Sequence, residues 1–322
     1  MGFLNRLVSP RYPSAAVGLS GEVASAVQLE RRGGRLAVRG AAFLPLPDGL
    51  VRPGFDEPNV ADAAELARAL AELTSSAGLA RRRRWSVALP EASTRTSILT
   101  METQPASRAE GEEMLRWKTE RALGAPLDEL RVSRERLQPD AQGRARHLVT
   151  AVRLSVLAEY EGVFGGLGWR AGLILPRHMG EAWWLMRERP RADSLLVSSH
   201  GEGFTALVLR GDQPLYVRSV SCEAEDRADE LYRFLLFYRD RNAPDGEGVE
   251  AEAPPASAER IDRLLVAGTG LDYERASAIV EEALAAPPRA VGAADLRLSF
   301  PSSEIDFRQI AAPAGLAALA WG

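Results

Sequence analysis

The 322-residue chain is 46% hydrophobic and 26% charged, with a net charge of −4. That balance is ordinary for a folded water-soluble protein and leaves no global positive field to draw nucleic acid, so no nucleic-acid partner is expected. A single cysteine, Cys222, excludes an intramolecular disulfide and a thiolate metal cluster. The three histidines (His147, His178, His200) lie far apart in the chain, so no metal site is expected.

The opening MGFLNRLVSPRYP has Arg6 and Arg11 interrupting its apolar residues, so it does not read as a signal peptide. Phe3, Leu4, Leu7 and Val8 could make a short amphipathic segment, or the terminus could simply fray. No uncharged run approaches the roughly 18 residues needed to span a bilayer, so a cytoplasmic location is expected.

Val17 to Gly40 reads as strand, small turn, strand, Gly-Gly turn, strand. Asn59 to Leu79 reads as a helix, with Asn59 as its N-cap and Gly78 as its C-terminal cap. Leu66, Ala69, Leu70, Leu73 and Ala77 form its apolar stripe. The Arg81–Arg84 run suits a solvated helix exit better than an anionic surface. Trp85 to Leu89 returns as a strand, and Ser93 to Met101 alternates like another. Ser107 and Glu110 frame a capping box, opening a helix that ends at Gly124. Leu130–Leu137 and His147–Leu154 read as a hairpin, and Ser155–Gly165 as a helix. Trp183 and Trp184 sit next to each other on a helix, about 100° apart. Both are buried only if that helix is sandwiched, so core packing between layers is expected.

Leu195 to Ser221 again reads as three strands and two tight turns. A helix follows over Ala224–Asn242, with Leu231, Phe234, Leu235 and Tyr238 at helical spacing, and a strand over Arg263–Ala267. Residues 243–259, rich in Pro, Gly, Ala and Glu, read as a mobile surface loop. The two meanders match in register: Ala26–Leu29 against Ala206–Leu209, and Leu36–Arg39 against Leu215–Arg218. A unit duplicated at a separation of about 180 residues follows. The expected domains are a first half over 14–92 plus 169–190, an inserted α+β subdomain over 93–168, and a second half over 191–322.

Several short matches extend this grammar. They are Val17-Gly18-Leu19, Val87-Ala88-Leu89-Pro90, Glu112-Glu113-Met114 through Ala125-Pro126-Leu127-Asp128-Glu129-Leu130, and Gly168-Trp169-Arg170-Ala171-Gly172-Leu173. Val266-Ala267-Gly268-Thr269-Gly270 and Pro313-Ala314-Gly315-Leu316-Ala317-Ala318-Leu319-Ala320 complete the set. In this order and spacing, over roughly residues 14–320, the sequence resembles the PilM family of type IV pilus assembly proteins. That family sits within the actin-like ATPases and is related to FtsA and the cytoplasmic domain of GspL. The resemblance implies an α/β actin-like (ribonuclease-H-like) fold: duplicated β-meander and helix halves with an inserted α+β subdomain.

The resemblance also implies a nucleotide cleft between the halves, gripped by turns led by Asp. Carried over, the first turn falls on Gly18, Ser20, Gly21 and Glu22, and the second on Ser199, Gly201, Glu202, Gly203 and Thr205. The third falls on Gly268, Thr269 and Gly270. Gly18 or Ser20, and Ser199, stand at the Asp positions, and a further acidic position near Leu175-Pro176 is missing. A degenerate cleft is therefore expected, with no catalytic residue and no cofactor. The alternative is an ATP- and magnesium-binding ATPase using Glu22 or Glu202. His200 beside the second turn lacks a recognisable nucleophile motif.

The family's known partner is the cytoplasmic N-terminal tail of a PilN-like inner-membrane protein, received in a groove between the first half and the insert. The candidate walls are Thr96, Ile98, Met114, Leu115, Trp117, Lys118 and Val149, residues that ordinary packing of the insert also claims. The implied role is a cytoplasmic scaffold of pilus or type II secretion-like assembly at the inner face of the inner membrane. Membrane association would run through the partner, and signals would pass to motor ATPases. A cell-division-type filament protein would need self-complementary surfaces, which the sequence does not display.

Overall fold

The computed structural model describes residues 12–103, 105–187, 190, 192–242, 260–301 and 305–321. The expected amphipathic start and the expected loop at 243–259 lie outside the described residues.

Strands β1 (Ala15–Leu19), β2 (Val23–Arg32) and β3 (Arg35–Pro45) form an antiparallel meander. Helix α1 (Ala63–Ser76) then leads to β4 (Arg84–Leu89), which lies parallel to β1. Next come β5 (Arg95–Thr100), α2 (Arg108–Leu123), β6 (Leu130–Leu137), β7 (Arg146–Arg153) and α3 (Leu154–Gly166). The chain rejoins the first sheet as β8 (Arg170–Pro176), parallel to β4, and continues into α4 (Arg177–Met186). The meander then recurs as β9 (Asp193–His200), β10 (Gly203–Arg210) and β11 (Gln213–Ser221). It is followed by α5 (Arg227–Asn242) and by β12 (Ile261–Gly268), parallel to β9. Helix α6 (Tyr273–Leu284), β13 (Arg289–Ala290), β14 (Leu298–Ser299) and α7 (Phe307–Ala318) end the chain.

The sheet orders are β14-β3-β2-β1-β4-β8, β11-β10-β9-β12-β13 and β5-β7-β6. The first two share one pattern, a meander extended by parallel strands, and they share a defect as well. The β2–β3 ladder slips between Gln28 and Leu29, and the β10–β11 ladder slips between Val208 and Leu209. On the middle strands these slips fall at the same place under the sequence register above, whereas the residues skipped on the third strands, Arg39 and Leu215, do not correspond.

Two sequence expectations need correction. Asn59 does not cap α1. Asp62 does, accepting from the backbone N–H groups of Ala64 (2.8 Å) and Glu65 (2.9 Å). Asn59 is instead buried, with its amide donating to the carbonyls of Gly54 and Glu57 and its Oδ1 accepting from Ser93 and Tyr160. A side chain with both donors and an acceptor serves a buried loop better than a helix end needing only an acceptor.

The second correction concerns the division at residue 190, which does not separate two packing units. Strand β14 pairs with β3, and α7 packs on β1, β2 and β4, so the end of the chain completes the first sheet. Conversely, α4 packs on β9 and β10 of the second sheet. The two helices lie between the sheets and cross at glycines. A methyl at Gly315 would sit 1.7 Å from the Gly180 carbonyl oxygen, and one at Gly180 would sit 2.2 Å from that of Ala312. Trp184 is fully buried, and its indole N–H donates to the Ala311 carbonyl at 2.8 Å. Trp183, half-buried, meets it edge-on at 4.9 Å.

The crossing makes a test by sign. Replacing helical glycine by alanine normally stabilises a helix by up to about 1 kcal/mol. Gly162→Ala, on open α3 surface, is expected to do so. Gly315→Ala is expected to destabilise by about 2 kcal/mol or more through backbone overlap, as read by urea unfolding of both variants.

Candidate functional site

The carboxyl ends of β1, β4, β9 and β12 converge, the place where open α/β sheets put ligand sites. Three turns meet there: Ser20–Glu22 after β1, Gly201–Glu202 after β9, and Thr269–Gly270 after β12. Gly268 pairs in parallel with Ser199, and a methyl on it would lie 1.9 Å from the Ser199 carbonyl oxygen. Close backbone approach therefore holds the second and third turns side by side.

The chain's own side chains bridge these turns. Thr269 Oγ1 donates to Glu22 Oε2 at 3.2 Å, linking third turn to first. Glu22 also covers Gly201, its Oε1 3.1 Å from where a methyl would project. Glu202 reaches the other way, its Oε1 equally close over Gly21. Arg227, at the start of α5, donates from Nη2 to the Gly201 carbonyl at 2.7 Å. Its guanidinium fills the space that a side chain at Gly270 would need, 1.7 Å from that position.

The positions matched to the family's Asp are committed elsewhere. Gly18 is buried, and a methyl there would meet Pro313 Cδ and Ser25 Oγ at 2.9 Å. The Ser20 hydroxyl closes its own turn, donating to the Val23 carbonyl and accepting from the Val23 N–H, both at 2.9 Å. Ser199 Oγ, His200 Nε2, His178 Nε2 and Arg227 Nε are buried without a hydrogen-bond partner among the described residues. Atoms of this kind are ordinarily satisfied by water or a polar ligand.

Sequence reasoning missed the group beneath the turns. Glu91 stands just past the end of β4 and is buried. Its Oε1 accepts the backbone N–H of His178 (2.5 Å), and its Oε2 meets His178 Nδ1 (2.7 Å) and accepts from Thr205 Oγ1 (3.0 Å). Thr205 in turn shares a hydrogen bond with Ser219 at 2.9 Å. Thr205, matched to the cleft by resemblance, is thus bound to a carboxylate of the first half. Burial alone would raise the Glu91 carboxyl, but the His178 charge and hydrogen bonds, with a smaller contribution from His200, hold it down to about 2. Burial pushes His178 down, and Glu91 outweighs that and raises it. Burial raises Glu181, one turn along α4, against the opposing charge of Arg177. At the rim, the hydrogen bond from His200 lowers Glu202 despite partial burial. A carboxylate directly beyond a strand's carboxyl end, facing a helix start after Pro176, was the available signal.

The seven residues proposed as groove walls do not line one groove. Val149 is fully buried in the insert's core, with Leu115 packed against it. Lys118 Nζ donates to the Thr100 carbonyl at 2.7 Å, Met114 is half-buried, and Trp117 is 57% exposed beneath Arg121. Thr96 lines a cavity of about 580 Å³ bounded by Pro53–Asp56 of the first half, Thr94–Ser97 and Leu123 of the insert, and Ser219–Ser221 of β11. Ile98 lines a separate cavity of about 890 Å³ farther along β5.

The architecture is an actin-like α/β fold with an inserted α+β subdomain. No family model and no curated protein sequence matches the chain. Among solved structures, the chain is similar to one described as the PilM–PilN type IV pilus biogenesis complex, with a TM-score of 0.75 and 20% identity. That match covers 97% of this chain and 100% of the other. A Bacteroides thetaiotaomicron protein with an actin-like ATPase fold and unknown function gives a TM-score of 0.48 at 10% identity, covering 98% of each chain. The cytoplasmic domain of EpsL, an inner-membrane component of the Vibrio cholerae type II secretion system, gives 0.45 at 14%, covering 95% of this chain and 93% of the other.

The buried pair sets a pH window for stability. Glu91, lowered in the fold, stabilises above its ordinary value of 4.5, and that contribution fades as pH falls toward about 2. His178, raised in the fold, stabilises below its ordinary 6.5, and that contribution fades as pH climbs through its raised value. Melting temperature should therefore peak between about pH 4.5 and 6.5. Glu91→Gln should lower stability by about 3 kcal/mol and flatten both limbs, as followed by thermal melts across pH.

Proposed function

We propose that this protein is an actin-like scaffold of type IV pilus or type II secretion-like assembly, working at the cytoplasmic face of the inner membrane. The observation that carries the proposal is the end-to-end correspondence of its fold with a chain of the structure described as the PilM–PilN type IV pilus biogenesis complex. In this reading it captures the N-terminal tail of a PilN-like membrane partner, which tethers it to the membrane. It then passes the state of that contact to motor ATPases. The cavity of about 580 Å³ between Pro53–Asp56 and the insert supports the capture step, since it lies where first half and insert meet and Thr96 faces it. No described helix is long and apolar enough to cross a membrane, in keeping with tethering through a partner.

The nucleotide cleft is proposed to be degenerate. Glycine turns leave backbone N–H groups that could approach phosphate, but a magnesium-bound triphosphate needs carboxylates aimed at the metal. Glu22 and Glu202 are instead laid across the opposite turns, and Arg227 fills the space over Gly270. Among the described residues, no group of three His, Cys, Asp or Glu side chains could hold a metal ion.

Two measurements test the proposal. Calorimetric titration with ATP and magnesium is expected to give no heat up to millimolar nucleotide. Micromolar, magnesium-dependent binding would instead return an ATPase in which Glu22 or Glu202 swings to the metal. A labelled N-terminal peptide of a PilN-like protein should bind at micromolar concentration. Ala122→Trp, which fills the cavity from an exposed position, should weaken that binding by at least about tenfold without lowering the melting temperature.

A further inference from the structure

A second binding place opens along the trench that separates the insert from the second half. The edge strand of each three-dimensional neighbour forms a wall: β5 closes one side of the insert's sheet, and β11 closes one side of the second half's sheet. They approach each other without pairing. At the outer end the cavity of about 890 Å³ is walled by Ile98 and Thr100 on one side and Tyr216 on the other. The turn around Gln138 and the C-terminal end of α5 close it.

The charge of this end is unbalanced. Five arginines line it, and three are neutralised: Arg144 by Asp140, Arg210 by Asp193 and Arg218 by Glu230. Arg146 is different. Its Nη2 donates to the carbonyls of Pro214 (3.1 Å) and Leu215 (2.7 Å), tying insert to second half, and it pairs with no carboxylate among the described residues. Burial pushes its guanidinium pKa down, with Tyr216 and Asp140 opposing from a distance. Arg241 likewise has no carboxylate partner among the described residues and lies over the Phe237 ring at 5.3 Å. Phe237 is itself 42% exposed and meets Tyr216 edge-on at 5.5 Å. Two surplus cations, one of them half-desolvated, face a cavity with aromatic walls, which favours an anion that also brings apolar surface.

We infer that this end of the trench docks an extended acidic peptide of a partner protein. Carboxylates of that peptide meet Arg146 and Arg241, and an apolar side chain rests against Tyr216, Phe237 and Ile98. Two unpaired strand edges suit an extended backbone, and the volume exceeds what a lone small anion would fill. This inference stands apart from the tail-binding cavity and does not rest on the scaffold reading.

The test is fluorescence anisotropy with a labelled peptide of about ten residues alternating Glu with Ala around a central Phe, beside its counterpart with Gln in place of every Glu. The acidic probe is expected to bind at least about tenfold tighter than the Gln probe and to weaken with salt. Arg241→Glu, an exposed change, should cost at least about tenfold in affinity for the acidic probe while the melting temperature holds. Ile98→Asp should weaken the same probe by repulsion from the opposite wall. Equal binding of the two probes, no binding at millimolar protein, or unchanged affinity in Arg241→Glu would overturn the inference.

Discussion

A single buried carboxylate joins the two halves at their centre. Glu91 leaves the first sheet at the end of β4, receives the start of α4 through His178, and takes a hydrogen bond from Thr205 in the second sheet. Burying a carboxylate costs several kcal/mol unless partners replace its water, and here a backbone N–H, an imidazole and a hydroxyl do so together. Removing any one leaves a charge in a dry place. The relative position of β4, α4 and β10 is therefore fixed by a requirement that no loose arrangement would meet.

The three turns lie directly above this knot, and their geometry follows from it. With β4 and β10 fixed against each other, the ends of β1 and β9 come close enough for Glu22 and Glu202 to cross between turns. Opening the halves would break the Glu22–Thr269 contact and lift Glu202 away from Gly21. The Glu22–Thr269 contact is exposed and modest, whereas the Glu91 contacts are buried. The rim can thus loosen while the floor stays joined, so rearrangement of the turns is an easier change than full separation of the halves.

The crossing of α4 and α7 gives the same conclusion from another direction. Helices that meet backbone to backbone at Gly180 and Gly315 leave no side-chain layer in which to slide. The exchange of α4 and α7 between the sheets places each half partly in the core of the other. The insert shares the apolar core of the first half through α3, whereas it meets the second half through polar contacts such as Arg146 to β11 and the Gln138 N–H to Gln213. Movement of the insert against the second half is therefore the softer mode, and both cavities lie along that seam.

Much of this was legible in the chain because it is local. Alternation and glycine turns gave the meanders, and their matched register gave the duplication, while the ladder slips after Gln28 and Val208 came only with the structure. Helix ends such as Ser107 and Gly124 were written in capping chemistry that acts within one turn. The Trp183–Trp184 pair required a sandwiched helix, and the structure supplies one. What only the tertiary structure decided involves residues distant in sequence. Asn59 has the chemistry of a cap, yet a buried loop with four polar groups to satisfy claims it. Glu91 and His178 are 87 residues apart and carry no motif, so their pairing waits on two sheets meeting. Thr96 and Ile98 share one face of the insert's sheet while Val149, paired with Ser97, lies on the other and is buried, and which cavity Thr96 and Ile98 each meet depends on where the second half lies against the insert. Periodicity says which residues share a face, and only packing between elements says what that face meets.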